Sequence, residues 1–145
     1  MQLSANKRIN ELNKQELRIW AKNERQKLDT EALSKLLAEK LQQTEEYKKS
    51  KNIMIFYPLE NEINLLSLLN DTSKSFYLPK IDGRTLLCCR FDKTTELCES
   101  CFHTKEPESP PENKSLLDLI IVPALAVDKN NYRLGYGKGF YDRFL

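Results

Sequence analysis

Residues 116–127 read "LLDLIIVPALAV" and pass directly into "DKNNYRLGYGKGFYD" at 128–142. A near-continuous apolar run of this kind is the pattern of a strand buried on both faces of a sheet. The chain has only 4 glycines, and three of them, Gly135, Gly137 and Gly139, fall within five residues of one another. Glycine costs backbone entropy, so concentrating it implies left-handed turns or a backbone that something approaches closely. Residues 128–131 read as a turn, 133–139 as a loop, and Phe140 as the start of a helix. A glycine loop entering a helix exposes unpaired backbone N–H groups, which suit an anion and phosphate above all. Arg133 and Lys138 supply matching charge. Two familiar phosphate motifs do not fit. The P-loop needs Ser or Thr after Gly-Lys, where this chain has Gly139, and the dinucleotide fingerprint needs a third glycine at position 140, which is Phe140. A glycine-rich turn flanked by solvated cations is the competing reading.

Upstream, the pattern alternates. The first fifty residues contain no proline or glycine. Ile9, Leu12 and Trp20 form one loose apolar stripe at helical spacing, and Leu33, Leu36, Leu37 and Leu41 a cleaner one, with a break near Asp29 and Thr30, either of which can cap a new helix. "NIMIFYP" at 52–58 reads as a short strand ended by proline, "NEINLLSLLND" as a return to helical spacing, and "SFYLP" at 75–79 as a strand. A turn at Asp82-Gly83 leads to a third strand, "RTLLCCRF", and residues 103–115, with Pro107, Pro110 and Pro111, read as a loop. Strand, helix and strand in alternation define an α/β fold with a largely parallel sheet.

Composition narrows the class. At 145 residues and 17.0 kDa the chain fits one domain. Lys and Arg total 23 against 21 acids, so the net charge of +2 gives no argument for a nucleic-acid partner. The apolar run at 119–127 is far below the roughly 20 residues that cross a bilayer, and the first residues lack an apolar signal core, so a cytoplasmic setting is the default expectation. Cys98, Cys101 and His103 in "CESCFH", with Cys88-Cys89 upstream, suggest a metal site only loosely. Adjacent strand residues point to opposite faces, so Cys88 and Cys89 are not expected to share an ion, and separate reduced thiols are the expectation.

Two further features bear on chemistry. Lys14 and Arg18 in "NKQELRIW" are four apart, on one helix face, where like charges repel unless an anion lies between them. In "IFYPLENEI", Glu62 lies just past the end of a strand, where ligand crevices of open α/β sheets are found, with Phe56, Tyr57 and Leu59 beside it. Alternatively, Glu60 and Glu62 simply occupy the first turn of a following helix, where acids are favourable.

Lys-x-x-Leu-Arg at 14–18, "IF" followed by Glu62, "EP" at 106–107, "DLIIVPALAVD" at 118–128 and "RLGYGKGFYD" at 133–142 occur in an order that resembles the 5-formyltetrahydrofolate cyclo-ligase family, from about Lys14 to the last residue. The final segment is the most specific part. The resemblance implies a three-layer α/β/α fold with a largely parallel, mixed sheet and an N-terminal helical segment, in a single domain over 1–145. It implies that Mg-ATP phosphorylates the formyl oxygen of 5-formyltetrahydrofolate, after which a folate nitrogen closes the ring to 5,10-methenyltetrahydrofolate. Such chemistry needs positioning and charge neutralisation more than a nucleophile triad.

Residue by residue, the resemblance gives Lys14, Arg18, Arg133, Leu134, Gly135, Tyr136, Gly137, Lys138, Gly139, Phe140 and Tyr141 to ATP. Glu62, Lys138 and Arg133 become the catalytic group, with Glu62 orienting the attacking nitrogen. Phe56, Tyr57, Glu62, Tyr136 and Phe140 line the folate pocket, with Tyr141 beside them. Asp142 becomes the Mg²⁺ ligand, and an oxygen donor suits that ion. Phe140 stands where tyrosine is common, keeping a ring but losing a hydroxyl. Family members usually continue for some tens of residues with further strands and a second acidic metal ligand, so this chain is expected to be a shortened form lacking the C-terminal strands. A monomer acting on the folate and ATP, with no nucleic-acid or membrane partner, is the expectation. The alternatives are a non-catalytic nucleotide- or folate-binding module and, more remotely, a nucleic-acid-binding protein using its lysine-rich helices.

Overall fold

A computed structural model describes residues 7–100 and 102–145. The chain divides into two compact units, Met1–Asp29 with Pro123–Gly139, and Thr30–Val122 with Phe140–Leu145.

In the first unit a short 3₁₀ turn, Ile9–Glu11, precedes helix α1, Lys14–Gln26. Asn13 caps α1, its side chain accepting a hydrogen bond from the Glu16 amide at 2.9 Å, which satisfies one of the donors that every helix start leaves open. Ile9 lies ahead of this cap and is exposed, so it is not part of the helical stripe; within α1 the buried residue is Ala21.

The second unit begins with helices α2, Thr30–Gln42, and α3, Glu45–Lys49, so the break expected near Asp29 and Thr30 is present. The expected stripe of α2 is corrected: Leu36 and Leu37 are exposed, whereas Ser34 and Ala38 are buried and Leu41 is partly so. Small side chains let the helix approach closely, and the Ser34 hydroxyl accepts the Asn64 amide at 2.9 Å. Strands β1, Asn52–Met54, β2, Ser75–Asp82, and β3, Thr85–Phe91, follow as the alternating pattern predicts, with Gly83 at φ +60° in the β2–β3 turn. The helical spacing between β1 and β2 is realised only as a 3₁₀ segment, Leu66–Asn70. The stretch expected as a loop at 103–115 contains strand β5, Lys105–Pro107, which forms a hairpin with β4, Leu97–Glu99, and then strand β6, Pro111–Glu112. Strand β7, Leu119–Ile120, completes the sheet.

The sheet order is β6-β3-β2-β1-β7. β1 pairs in parallel with both β2 and β7, while β3 pairs antiparallel with β2 and β6. Four of the five strands therefore share one direction and only β3 opposes them, a mixed and mostly parallel sheet. The run at 116–127 departs from the expectation of a strand buried on both faces. β7 is two residues long, half-buried and at the edge of the sheet. Its Ile121 amide still reaches the Met54 carbonyl at 2.8 Å, but Pro123 has no N–H with which to continue the ladder. The Asp118 carboxylate ties β7 to the start of β1 by accepting the amides of Asn52 and Lys51 at 2.8 and 2.9 Å, and these bonds hold its pKa below the ordinary value.

Side-chain alternation divides the core by sheet face. Ile53, Ile55, Phe76, Leu78 and Phe91 pack with Ala38, Tyr47 and Leu68 on one face. Met54, Tyr77, Leu86 and Cys88 pack on the other with Phe144 from the short helix α4, Phe140–Phe144. Strands β8, Ala126–Val127, and β9, Arg133–Leu134, belong to the first unit, where they form an antiparallel hairpin.

Candidate functional site

The glycine segment is built on the β8–β9 hairpin. The Asp128 carboxylate accepts the amides of Asn130 and Tyr132 at 2.8 and 2.9 Å, and Asn131 takes a left-handed conformation at φ +65°; an aspartate–asparagine tip of this kind is the chemistry of a tight turn. Arg133 and Leu134 are thus strand residues, and the loop proper starts at Gly135.

Helix α1 supplies the cations that meet this loop. Arg18 Nε donates to the Gly135 carbonyl at 2.9 Å. Its guanidinium lies over Gly137, where an added Cβ would sit 3.3 Å from Arg18 Cζ, and Gly137 itself has φ +100°. An added Cβ on Gly135 would come within 2.7 Å of Arg133 Nη1, which donates to the Pro123 carbonyl at 3.0 Å. Two of the three clustered glycines therefore let arginine side chains approach the backbone, and Gly137 also takes a φ that an L residue rarely adopts. Lys14 opens α1 one turn before Arg18 and is exposed.

Two residues that sequence reasoning missed complete this helix face. Arg25 Nη1 donates to the Tyr136 hydroxyl at 3.1 Å, and its Nη2 donates to the Ala124 carbonyl. Lys22 Nζ lies 5.9 Å from the centre of the Tyr136 ring. The signal was available: positions 14, 18, 22 and 25 share one side of a helix with 3.6 residues per turn. Tyr136, expected to line the folate pocket, has its hydroxyl and ring engaged by α1.

The second unit holds the other candidates. After β1 the chain turns at Asn61, φ +60°, and brings Glu62 back so that its amide donates to the Leu59 carbonyl and its Oε1 accepts the Leu59 amide, both at 3.1 Å. No helix begins there, so Glu62 does not decorate a first turn; it is buried, with 6% of its surface exposed, while Glu60 is exposed. Phe56 is largely buried in the first-face core, with Tyr57 half-buried against it and Lys105 Nζ 5.9 Å above the Tyr57 ring. Phe140 meets Phe102 edge-on at 5.9 Å and carries the Arg143 guanidinium 5.3 Å from its centre. Tyr141 packs against the second-face core, and Asp142 is exposed in the first turn of α4. Gly139 and Phe140 lie on either side of the division between the units, so the motif at 133–142 contributes to both.

Among the described residues no group of three or more His, Cys, Asp or Glu side chains is arranged to hold a metal ion. Cys101 lies outside the described residues. Cys88, Cys89 and Cys98 are free thiols. Cys88 sits in the second-face core, Cys89 alternates to the opposite face, and burial pushes both thiols above their ordinary pKa. Among the described residues no helix is long and apolar enough to cross a membrane.

A mixed-sheet α/β protein with a glycine loop braced by a cationic helix is the class that these observations define. The chain belongs to the 5-formyltetrahydrofolate cyclo-ligase family, whose sequence model matches residues 8–145. It is similar to the 5-formyltetrahydrofolate cyclo-ligase of Haemophilus influenzae, 33% identical over 109 residues that cover 69% of this chain and 58% of that protein. The mouse (Mus musculus) protein of the same name is 29% identical over 125 residues, 77% of this chain and 62% of its own length. Among solved structures it matches the Aquifex aeolicus 5,10-methenyltetrahydrofolate synthetase with a TM-score of 0.79 and 34% identity, over 91% of this chain and 71% of that one. The chain thus spans about three fifths of the length of the curated relatives it matches, 58% and 62% for these two.

Proposed function

We propose that this chain carries out the ATP-dependent conversion of 5-formyltetrahydrofolate to 5,10-methenyltetrahydrofolate. The formyl oxygen, bound as an amide, is a poor leaving group as hydroxide. Transfer of the γ-phosphoryl group to it leaves ADP; a folate nitrogen then forms its bond to the formyl carbon, the carbon–oxygen bond breaks, and phosphate departs.

The observation that carries this reading is Arg18, anchored by Nε to the Gly135 carbonyl with its guanidinium laid over Gly137. An arginine fixed by one donor at the surface of a glycine loop keeps its terminal donors for phosphate oxygens, which it binds in a planar, two-point fashion. Lys14, one turn away, Arg133 and Lys138 add positive charge to the same group, and Leu134, Gly135, Tyr136, Gly137, Gly139, Phe140 and Tyr141 complete the nucleotide-binding segment. Glu62, held in a defined orientation by the Leu59 amide, orients the folate nitrogen, and the half-buried Tyr57 offers aromatic surface near it with Phe56 packed behind in the first-face core, whereas Phe140 packs against the second-face core. Magnesium enters as the Mg-ATP co-substrate. An ion carried by phosphates needs only one or two protein carboxylates, and the exposed Asp142 meets that requirement. Three free thiols fit a reducing cytoplasmic setting, and we assign the reaction to a monomer.

Mixing the purified chain with 5-formyltetrahydrofolate and Mg-ATP, and following the near-ultraviolet absorbance of the methenyl product against a control without ATP, tests the proposal. ATP-dependent product is expected, with kcat/KM for ATP lowered about a hundredfold in Arg18→Ala, the scale of losing a charge-stabilising donor. Glu62→Gln is expected to lower kcat with little change in KM for ATP. Stabilisation by ligand without product would replace the enzymatic reading with that of a binding module.

A further inference from the structure

We propose that Arg25 is a positioning residue that fixes the conformation of the glycine loop through Tyr136. The inference rests on the reading of that loop as the ATP site, and it concerns a residue that acts through Tyr136.

Arg25 lies in the last turn of α1 and is half-buried. Its two terminal nitrogens reach two different segments, Nη2 the carbonyl of Ala124 ahead of β8 and Nη1 the hydroxyl of Tyr136 beyond β9. One planar group thereby ties the entry of the hairpin to the loop that leaves it. The need for such a tie follows from composition. Residues 135–139 include three glycines, each free to explore more backbone conformations than any other residue, so ordering this loop is entropically expensive. Tyr136 stands between Gly135 and Gly137, and immobilising its side chain restrains the peptide units on both sides. Lys22, 5.9 Å from the ring centre, adds a cation to the same aromatic face. Arg18 then meets a loop whose carbonyl at 135 is already in place.

Two consequences separate positioning from a simple contribution of charge. A lysine at 25 keeps the charge but lacks the rigid fork that spans both acceptors, so Arg25→Lys behaves like Arg25→Ala. Tyr136→Phe removes only the hydroxyl and reproduces part of the same defect. The first measurement is hydrogen exchange by mass spectrometry on the purified chain. Arg25→Ala and Arg25→Lys are expected to speed exchange of residues 135–139 about tenfold, the scale of a lost charge-assisted hydrogen bond, and Tyr136→Phe by less, while β1, β2 and β3 exchange as in the parent. The second is the kinetic split: KM for ATP rises about tenfold and kcat stays within about twofold. Adding Tyr136→Phe to Arg25→Ala worsens neither reading, because the Tyr136 hydroxyl acts through a bond that Arg25→Ala already removes.

Unchanged loop exchange in Arg25→Ala overturns the proposal. So does a wild-type KM in Arg25→Lys, which would reduce Arg25 to a charge, and so do effects that multiply in the double variant. If the parent chain neither binds nor turns over Mg-ATP, the functional reading fails instead, and the exchange comparison still decides whether Arg25 holds the loop.

Discussion

Each of the two units is stabilised internally by a different kind of force. In the unit containing α1 and the glycine loop, the buried apolar side chains among the described residues are Ala21 and Leu125, and the contacts that fix the loop run from arginine guanidinium groups to carbonyl and hydroxyl oxygens. In the sheet unit Ile53, Met54, Ile55, Leu68, Leu78, Cys88 and Cys89 are fully buried on the two faces. Hydrogen bonds to charged groups are directional and individually worth about 1.5–3 kcal/mol, whereas apolar burial is non-directional and sums over many atoms. The loop is therefore specified in geometry, and the sheet in stability. Damage to the first should appear as lost ligand affinity, and damage to the second as lost folding.

Leu78→Ala gives the largest effect and the clearest test of that division. It empties a fully buried site and is expected to destabilise the chain by about 3–4 kcal/mol in urea unfolding, the usual range for a core leucine, leaving KM for ATP unchanged where the variant remains folded. A comparable rise in KM would break the comparison. Gly137→Ala is expected to cost about 1–2 kcal/mol of backbone strain at φ +100°, and its Cβ also displaces Arg18. Its defect should therefore be larger in ATP affinity than in thermal midpoint, as calorimetry and kinetics on one preparation will show.

The smallest effect is a pH dependence confined to the sheet unit. Burial and a hydrogen bond donated to Asp71 push Tyr47 from 10.0 up to about 12. A group whose pKa is raised on folding contributes stability that is fully present below its unfolded pKa. Tyr47 therefore stabilises up to about pH 10 and ceases to do so as pH rises through about 12. Denaturation midpoints measured between pH 9 and 12 should fall less steeply in Tyr47→Phe than in the parent.

Much of the architecture was legible because period and punctuation agreed. The alternation of Ile53, Met54 and Ile55 assigns each to its sheet face, and Asp82-Gly83 marks the hairpin. The run at 116–127 misled because an apolar composition does not distinguish a central strand from an edge strand; that difference depends on which neighbours the topology supplies. α2 misled because leucines dominate a pattern in which the docking positions are small, at Ser34 and Ala38. In the candidate site, glycine spacing showed where a close approach was needed, and Arg18 is one of the groups that makes it. Arg25 was not legible as a loop contact, since its role depends on long-range partners at Ala124 and Tyr136. Its register on α1 was the only hint.

The short edge strand β7 has a consequence for solubility. Residues 119–122, "LIIV", are an apolar, β-prone and uncharged stretch, and β7 is the last strand of the sheet among the described residues, the kind of segment on which foreign strands assemble. It is flanked by Asp118, whose carboxylate is already committed to two amides of the sheet, and by Pro123, which cannot donate to a ladder. These two residues act as gatekeepers. Replacing both removes the charge and the ladder break at once, and is expected to raise aggregation of the purified chain, which light scattering checks.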